Sequence, residues 1–129
     1  MPAPSAAAYS LAARIAARTA LLNLLDAQPG AATIKFRSAT DFLLATATLA
    51  DPAGVVSGTT GELAFTVASQ PQGVAAGEVA FVEFCDGAGV VHLAMPAQAG
   101  TSAVAGVAVL NSLAVTVGRA LQVGLVRVA

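Results

Sequence analysis

Apolar and polar residues follow a helical period at the start of the chain and a period of two after Gly30. Residues 6–27 are rich in Ala, Leu and Arg and contain no Gly or Pro, which predicts one helix that ends before Pro29. One side of this helix carries an apolar stripe made of Leu11, Ile15, Leu22 and Leu25. The opposite side is made of Ala. Arg14 and Arg18 fall beside and within that stripe. Either their stems lie along apolar surface with the guanidinium groups in water, or the arginines pair with carboxylates of a neighbouring subunit.

Alternating apolar and polar residues after the helix predict short strands separated by turn residues. Eight segments carry this pattern: residues 32–37, 42–50, 62–67, 81–85, 90–95, 104–110, 113–117 and 121–125. Asp51 and Pro52 are expected to end the second strand, and the Gly-, Ser- and Thr-rich stretch up to Gly61 is expected to be a loop. The pattern therefore predicts an all-β fold, an eight-stranded antiparallel jelly-roll-like sandwich preceded by one N-terminal α-helix. We expect residues 1–30 to form a helical arm and residues 31–129 to form the sandwich domain.

The clearest local feature is a β-hairpin over residues 75–96, where the turn residues Asp86 to Gly89 separate two apolar runs. A turn with Asp86 opposite Gly89 places Glu83 opposite His92. Five residues then share the face expected to line a dry core: Val82, Phe84, Val91, Leu93 and Met95. The other face is a candidate contact surface, with Phe81, Glu83, Cys85, Val90 and His92.

The chain has 129 residues, which is the size of one domain, and its composition is unusually poor in charged residues. Charged residues make up 10% and hydrophobic residues 57%, whereas about 25% of residues are charged in an ordinary soluble domain. Six basic and seven acidic side chains cannot cover the surface, so apolar side chains must lie outside. Large exposed apolar areas mark contact surfaces, so we expect a protein that works in an assembly. The alternative is an Ala-rich monomer whose composition reflects a biased genome.

Charge and segment length argue against nucleic-acid and membrane partners. The formal net charge is −1, which gives no long-range attraction to nucleic acid or to an anionic membrane. A membrane-spanning helix needs about 20 mostly apolar residues, and the best helical stretch is interrupted by Arg14 and Arg18. Cys85 is the only cysteine, so no disulfide forms within the chain.

The residues of the hairpin do not indicate catalysis. His92 is the only histidine, and opposite Glu83 it would form a surface ion pair or a pH-sensitive contact at a subunit interface. An acid–base site would need a nucleophile with oxyanion donors, which this face does not supply beside Cys85. A metal site needs three or four ligands, and only Glu83, Cys85 and His92 are within reach. We therefore expect no enzyme activity, no metal and no cofactor.

Four stretches of the sequence resemble a known family: LLATATLADPA, GELAFTVAS, AGEVAFVEFCDGAGVVHLAM and VAVLNSLAVTVG. Together with the N-terminal helix they look like small virion proteins of tailed bacteriophages, a family that includes capsid cement, or decoration, proteins. The resemblance covers residues 21–128. In that family the strand before the Asp-Gly turn often carries Trp and Arg, where this chain has Phe81 or Val82 and Glu83. The resemblance implies a jelly-roll-like sandwich that associates with itself, clamps neighbouring capsid subunits and has no catalytic activity.

The expected function is therefore a structural cement protein on the outer surface of a bacteriophage capsid, assembled in the host cytoplasm. Its expected partners are a second copy of itself, as a homodimer rather than a trimer, and subunits of the major capsid protein. The candidate subunit contacts are Arg14, Arg18, Phe81, Glu83 and His92. Two other interpretations stay open: a binding module associated with the phage tail or tail fibre, and a ligand-binding or enzymatic sandwich.

Overall fold

A computed structural model describes residues 10–69, 73–100, 108–110, 113–117 and 123–128 of the chain. These residues form one helix, α1 (Leu11–Asp26), and nine strands: β1 (Thr33–Arg37), β2 (Leu43–Val56), β3 (Leu63–Ser69), β4 (Gly77–Glu78), β5 (Phe81–Cys85), β6 (Val91–Ala99), β7 (Ala108–Leu110), β8 (Ala114–Val115) and β9 (Val123–Val128). The prediction of a mostly β protein with one N-terminal helix is confirmed. Residues 6–9, 104–107 and 121–122, which were predicted to continue the helix and two strands, lie outside the described residues.

Seven of the described strands curl into a closed barrel in the order β1, β2, β3, β9, β7, β6, β5, while β4 and β8 pair separately. Between the described strands all ladders are antiparallel except that of β6 with β7, which is parallel. The predicted count of eight strands is not confirmed, and the prediction of antiparallel pairing throughout is wrong at this one ladder. The two strands follow each other along the chain, and consecutive strands joined by a turn are expected to pair antiparallel, so the turn residues in the sequence favoured the wrong direction.

Rows of side chains from neighbouring strands fill the inside of the barrel. Ile34 of β1 lies between Ala47 of β2 and Phe84 of β5, and Phe84 lies opposite Leu93 of β6. The ring of Phe65 stacks on that of Phe84 with centroids 4.2 Å apart. A second buried row follows the same strands: Ala45, Phe36, Val82 and Met95. The alternating residues predicted to face the core of β1 and β5 therefore do so.

Strand β2 is longer than predicted, because it continues through Asp51 and Pro52 to Val56. Its pairing with β3 jumps from Leu49 opposite Val67 to Gly54 opposite Phe65, so β2 bulges over residues 50–53 and then returns to the ladder. The bulge is held by α1, since the carboxylate of Asp26 accepts hydrogen bonds of 3.1 and 3.3 Å from the backbone N–H of Ala53. The prediction that the strand ends at Asp51 is wrong because this long-range contact stabilises a conformation that the local Pro and Gly signals do not indicate.

Helix α1 packs on the barrel with most of the predicted stripe, whereas Leu11 at its start is exposed. Ser10 caps it, because the side-chain oxygen accepts a hydrogen bond of 3.1 Å from the backbone N–H of Ala13. Leu25 is fully buried in the core and Leu22 packs against the core. The helix contacts β2, β3 and β6. The division into an arm (residues 1–30) and a sandwich stays a prediction.

The β5–β6 hairpin has the predicted turn but a different register. The backbone N–H of Gly89 donates to the carbonyl of Asp86 at 3.0 Å, and Gly89 has a φ of +86°. Glu83 faces Ala94 and Phe84 faces Leu93, so the predicted pair of Glu83 with His92 is wrong.

The reason for the shift is that the loop is longer than expected and a bulge follows it. Asp86 closes the hairpin with Val90, since its N–H donates to the carbonyl of Val90 at 3.0 Å. The register then shifts after Cys85 opposite Val91, which leaves His92 as the extra residue. Val91 is 44% exposed, so its predicted place in the core is also wrong, whereas the other four predicted core residues of the hairpin do face the core: Val82, Phe84, Leu93 and Met95.

Candidate functional site

The tip of the β5–β6 hairpin holds Asp86, the one buried charged side chain among the residues described. Its Oδ1 accepts hydrogen bonds from the backbone N–H groups of Ala88 at 2.9 Å and Val90 at 3.0 Å. Its Oδ2 lies 2.9 Å from Nε2 of His92. Because an ionised carboxylate can only accept, Nε2 carries the proton in this bond. The hydrogen bond from His92, and then those from the two backbone N–H groups, hold the pKa of Asp86 below its ordinary value.

The hydrogen bonds of Asp86 hold the turn together, and the thiol nearest to it is buried. Cys85 is the nearest thiol, and its side chain is fully buried. Burial raises the pKa of the Cys85 thiol, so the reactive thiolate is scarce at neutral pH. The contact between Asp86 and His92 thus closes the loop, while the Cys85 thiol beside it is shielded from solvent.

The side chain of Glu83 pairs with a residue of β1, and not with His92 across the hairpin as predicted. Nε of Arg37 on β1 donates a hydrogen bond to Oε1 of Glu83. Arg37 also donates from Nη1 to the backbone carbonyl of Asp41 at 3.2 Å. The pairing of β1 with β5 joins residues far apart in sequence, so the alternation within the hairpin could not have indicated the Arg37–Glu83 ion pair.

The five predicted contact residues occupy three different places. Phe81 and Glu83 lie on β5, where Phe81 is half-buried beside Arg37. His92 is held at the hairpin tip by Asp86. Arg14 and Arg18 lie half-buried on α1, and the Nε atom of each is buried. The structure therefore brings together Phe81 and Glu83, and it places the arginines and the histidine on other elements.

Three exposed apolar side chains on neighbouring segments were not singled out by the sequence. Phe42, Val74 and Val117 are 69%, 65% and 60% exposed, and we call them the β2-end patch. Their segments are neighbours: the N–H of Val74 donates to the carbonyl of Leu44 at 2.8 Å, and Gly73 bridges to Val117. Only the pairing of these distant segments brings the three side chains to the same end of β2, so the sequence alone could not show the patch.

The clefts on the described surface include two beside β2. One, of about 250 Å³, lies between the end of α1 and the β2 bulge and includes the carboxylates of Asp26 and Asp51. The other, of about 340 Å³, is lined by five residues of the β2–β3 connection: Val55, Ser57, Thr60, Glu62 and Ala64. Within the described ranges no three His, Cys, Asp or Glu side chains stand close enough to hold a metal ion. Nor does any described helix have the length and apolarity required to cross a bilayer.

Comparisons of the chain with protein family models, with curated proteins and with solved structures find no match.

Proposed function

We propose that this chain is a structural virion protein that binds the outer surface of a bacteriophage capsid and stabilises it, as a cement or decoration protein. Two lines of argument support the proposal: the resemblance of four sequence stretches to small phage virion proteins, and exposed apolar side chains on a domain with few charges. We also propose that the barrel is a jelly-roll-like sandwich, which is supported by the curled sheet and its buried inner rows.

The observation that carries the functional proposal is the β2-end patch. Each of its three side chains leaves more than half of its surface in water. Burying apolar surface contributes about 25 cal/mol per Å², so a partner that covers the patch gains free energy that the isolated chain does not. A large exposed aromatic side chain such as Phe42 is also typical of residues that dominate binding energy. We assign the patch to the contact with the major capsid protein.

The mechanism we propose is bivalent. Two copies associate about a two-fold axis, and each copy binds a neighbouring capsid subunit, so that weak contacts add through effective concentration. The outer face of β5 is the proposed surface between copies, because Phe81 is half-buried there and Pro96 beside it is exposed. Arg14, Arg18 and His92 remain proposed contacts of the assembly.

Binding to particles tests the contact with the capsid. Phage particles that lack the chain are mixed with the purified protein, and the bound copies are counted after sedimentation. The wild type should bind and should raise the temperature at which the particles release their DNA. Phe42→Ser should lower the affinity by about tenfold or more, because it removes the aromatic side chain of the patch.

Val55→Ser is the matched control, because Val55 is 64% exposed but lies at the other end of β2. It should leave binding unchanged. Equal effects of the two substitutions would contradict the assignment of the patch, and binding only to tails would favour the tail-associated module.

Sedimentation equilibrium tests the other half of the mechanism, the association of two copies. A dimer at micromolar concentration is expected, and a monomer would contradict bivalency.

A further inference from the structure

The attachment of α1 to the barrel is strong in the C-terminal half of the helix. Leu25 is fully buried in the core, and Leu22 packs against the core. Asp26 adds a polar attachment, because both of its carboxylate oxygens accept hydrogen bonds from the backbone N–H of Ala53. The packing of the two leucines and the hydrogen bonds of Asp26 fix the last turns of the helix to the core and to β2.

The N-terminal half of α1 has weaker contacts. None of its side chains is fully buried: Leu11 is exposed, and Arg14, Ile15 and Arg18 are half-buried. Nε of Arg14 is buried without a hydrogen-bond partner. A buried donor that makes no hydrogen bond has lost its hydration without compensation, so this contact opposes docking.

The side chain of Arg14 rests directly on Gly61. A Cβ atom placed on Gly61 would lie only 2.8 Å from Cβ of Arg14, so the helix approaches this closely only because residue 61 has no side chain. Gly61 also has a φ of +73°, a backbone conformation that favours glycine. The N-terminal half of the helix thus rests on the backbone of Gly61, beside a donor that has no hydrogen-bond partner.

The charged residues of α1 are also placed unfavourably for its dipole. Arg14 lies in the first turn, which contains no acidic residue, and Asp26 lies in the last turn, which contains no basic residue. Cations near the N-terminus and anions near the C-terminus are unfavourable to a helix. At the C-terminal end the hydrogen bond from the N–H of Ala53 to Asp26 offsets the unfavourable placement of that carboxylate. At the N-terminal end the Ser10 cap supports the first turn.

We propose that the N-terminal half of α1, residues 11–18, is a releasable arm that opens from the barrel while Leu25 and Asp26 stay attached. Opening lets water hydrate Nε of Arg14 and uncovers Gly61. Such a local opening has a smaller free energy than global unfolding. It does not rest on the proposed function, although on a capsid it would free Arg14 to pair with a carboxylate of a neighbouring subunit.

Amide hydrogen exchange of the full chain in its native state tests the arm. A released segment of eight residues is too short to stay helical alone in water, so its amides should exchange. The amides of residues 15–18 should exchange at least about tenfold faster than those of residues 22–25, which is a difference of about 1.4 kcal/mol in opening free energy. Protection that is equal in the two halves, and equal to that of β1 and β5, would overturn the proposal.

Three variants separate release of the arm from simple fraying of a helix end. Gly61→Ala should raise exchange at residues 15–18 by about tenfold or more and leave residues 22–25 unchanged, because its Cβ pushes against Arg14. Gly89→Ala is the matched control: Gly89 also has a positive φ, but an added Cβ there meets nothing within 4 Å, so the helix should not respond. Arg14→Leu should slow exchange in the arm. Faster exchange in Arg14→Leu, or no response to Gly61→Ala, would refute the arm.

Discussion

Replacing Leu25 by Ala tests whether α1 is anchored in the core of the barrel. The side chain of Leu25 is fully buried, so the substitution removes three carbon atoms from an environment without water. At about 0.8 kcal/mol for each buried methylene, the lost transfer free energy is about 2.4 kcal/mol. The cavity that remains raises the expected loss to about 3–5 kcal/mol. Ala has a high helix propensity, so the helix itself is not weakened.

Urea unfolding followed by circular dichroism measures this loss. Leu24→Ala is the matched control, because Leu24 is the neighbouring residue on the same helix and is 50% exposed. It should cost less than about 1 kcal/mol, since a half-exposed side chain leaves no cavity. A loss of 3 kcal/mol should lower the melting temperature by about 10 °C. If the two variants lose the same stability within about 0.5 kcal/mol, the anchoring of α1 through Leu25 is refuted.

Three further outcomes are expected at the hairpin tip. Because the neighbouring imidazole and backbone N–H groups lower the pKa of Asp86 below 3.8, its carboxylate stabilises the fold above that pH and loses this effect as the pH falls through the lowered value. In urea unfolding at several pH values, wild type should therefore lose more stability in acid than Asp86→Asn; equal acid slopes would argue against it. Cys85 should resist a thiol reagent until urea unfolds the chain, because burial raises the pKa of its thiol, and rapid labelling of folded protein would disprove this. Gly87→Ala should cost about 1–3 kcal/mol in thermal melts, since its Cβ meets the backbone of Gly30, whereas Gly58→Ala should stay within about 0.5 kcal/mol; similar melts would contradict the close approach.

Local patterns were enough to predict the helix and most strands. The stripe of Leu22 and Leu25 follows from the period of the helix, and the burial of Ile34 and Phe36 follows from alternation in β1. The Asp-Gly turn was also predicted, because its residues specify the turn chemistry. The register of the hairpin was not predicted correctly, because the sequence does not distinguish a tight turn from a longer loop followed by a bulge at His92.

The remaining features depend on contacts between distant segments. The passage of β2 through Pro52 depends on Asp26, and the partner of Glu83 depends on the pairing of β1 with β5. The β2-end patch forms only when Val74 and Val117 come beside the start of β2. A single sequence carries no signal for such pairings, so composition could indicate an exposed apolar surface but not its location.

Cryo-electron microscopy of particles that carry this chain tests the central proposal most directly. We expect density for the barrel on the outer surface of the capsid, at positions where neighbouring shell subunits meet, with Phe42 in the contact. Particles whose shell carries no such density, while the chain is found only in the tail, would contradict the proposed cement function.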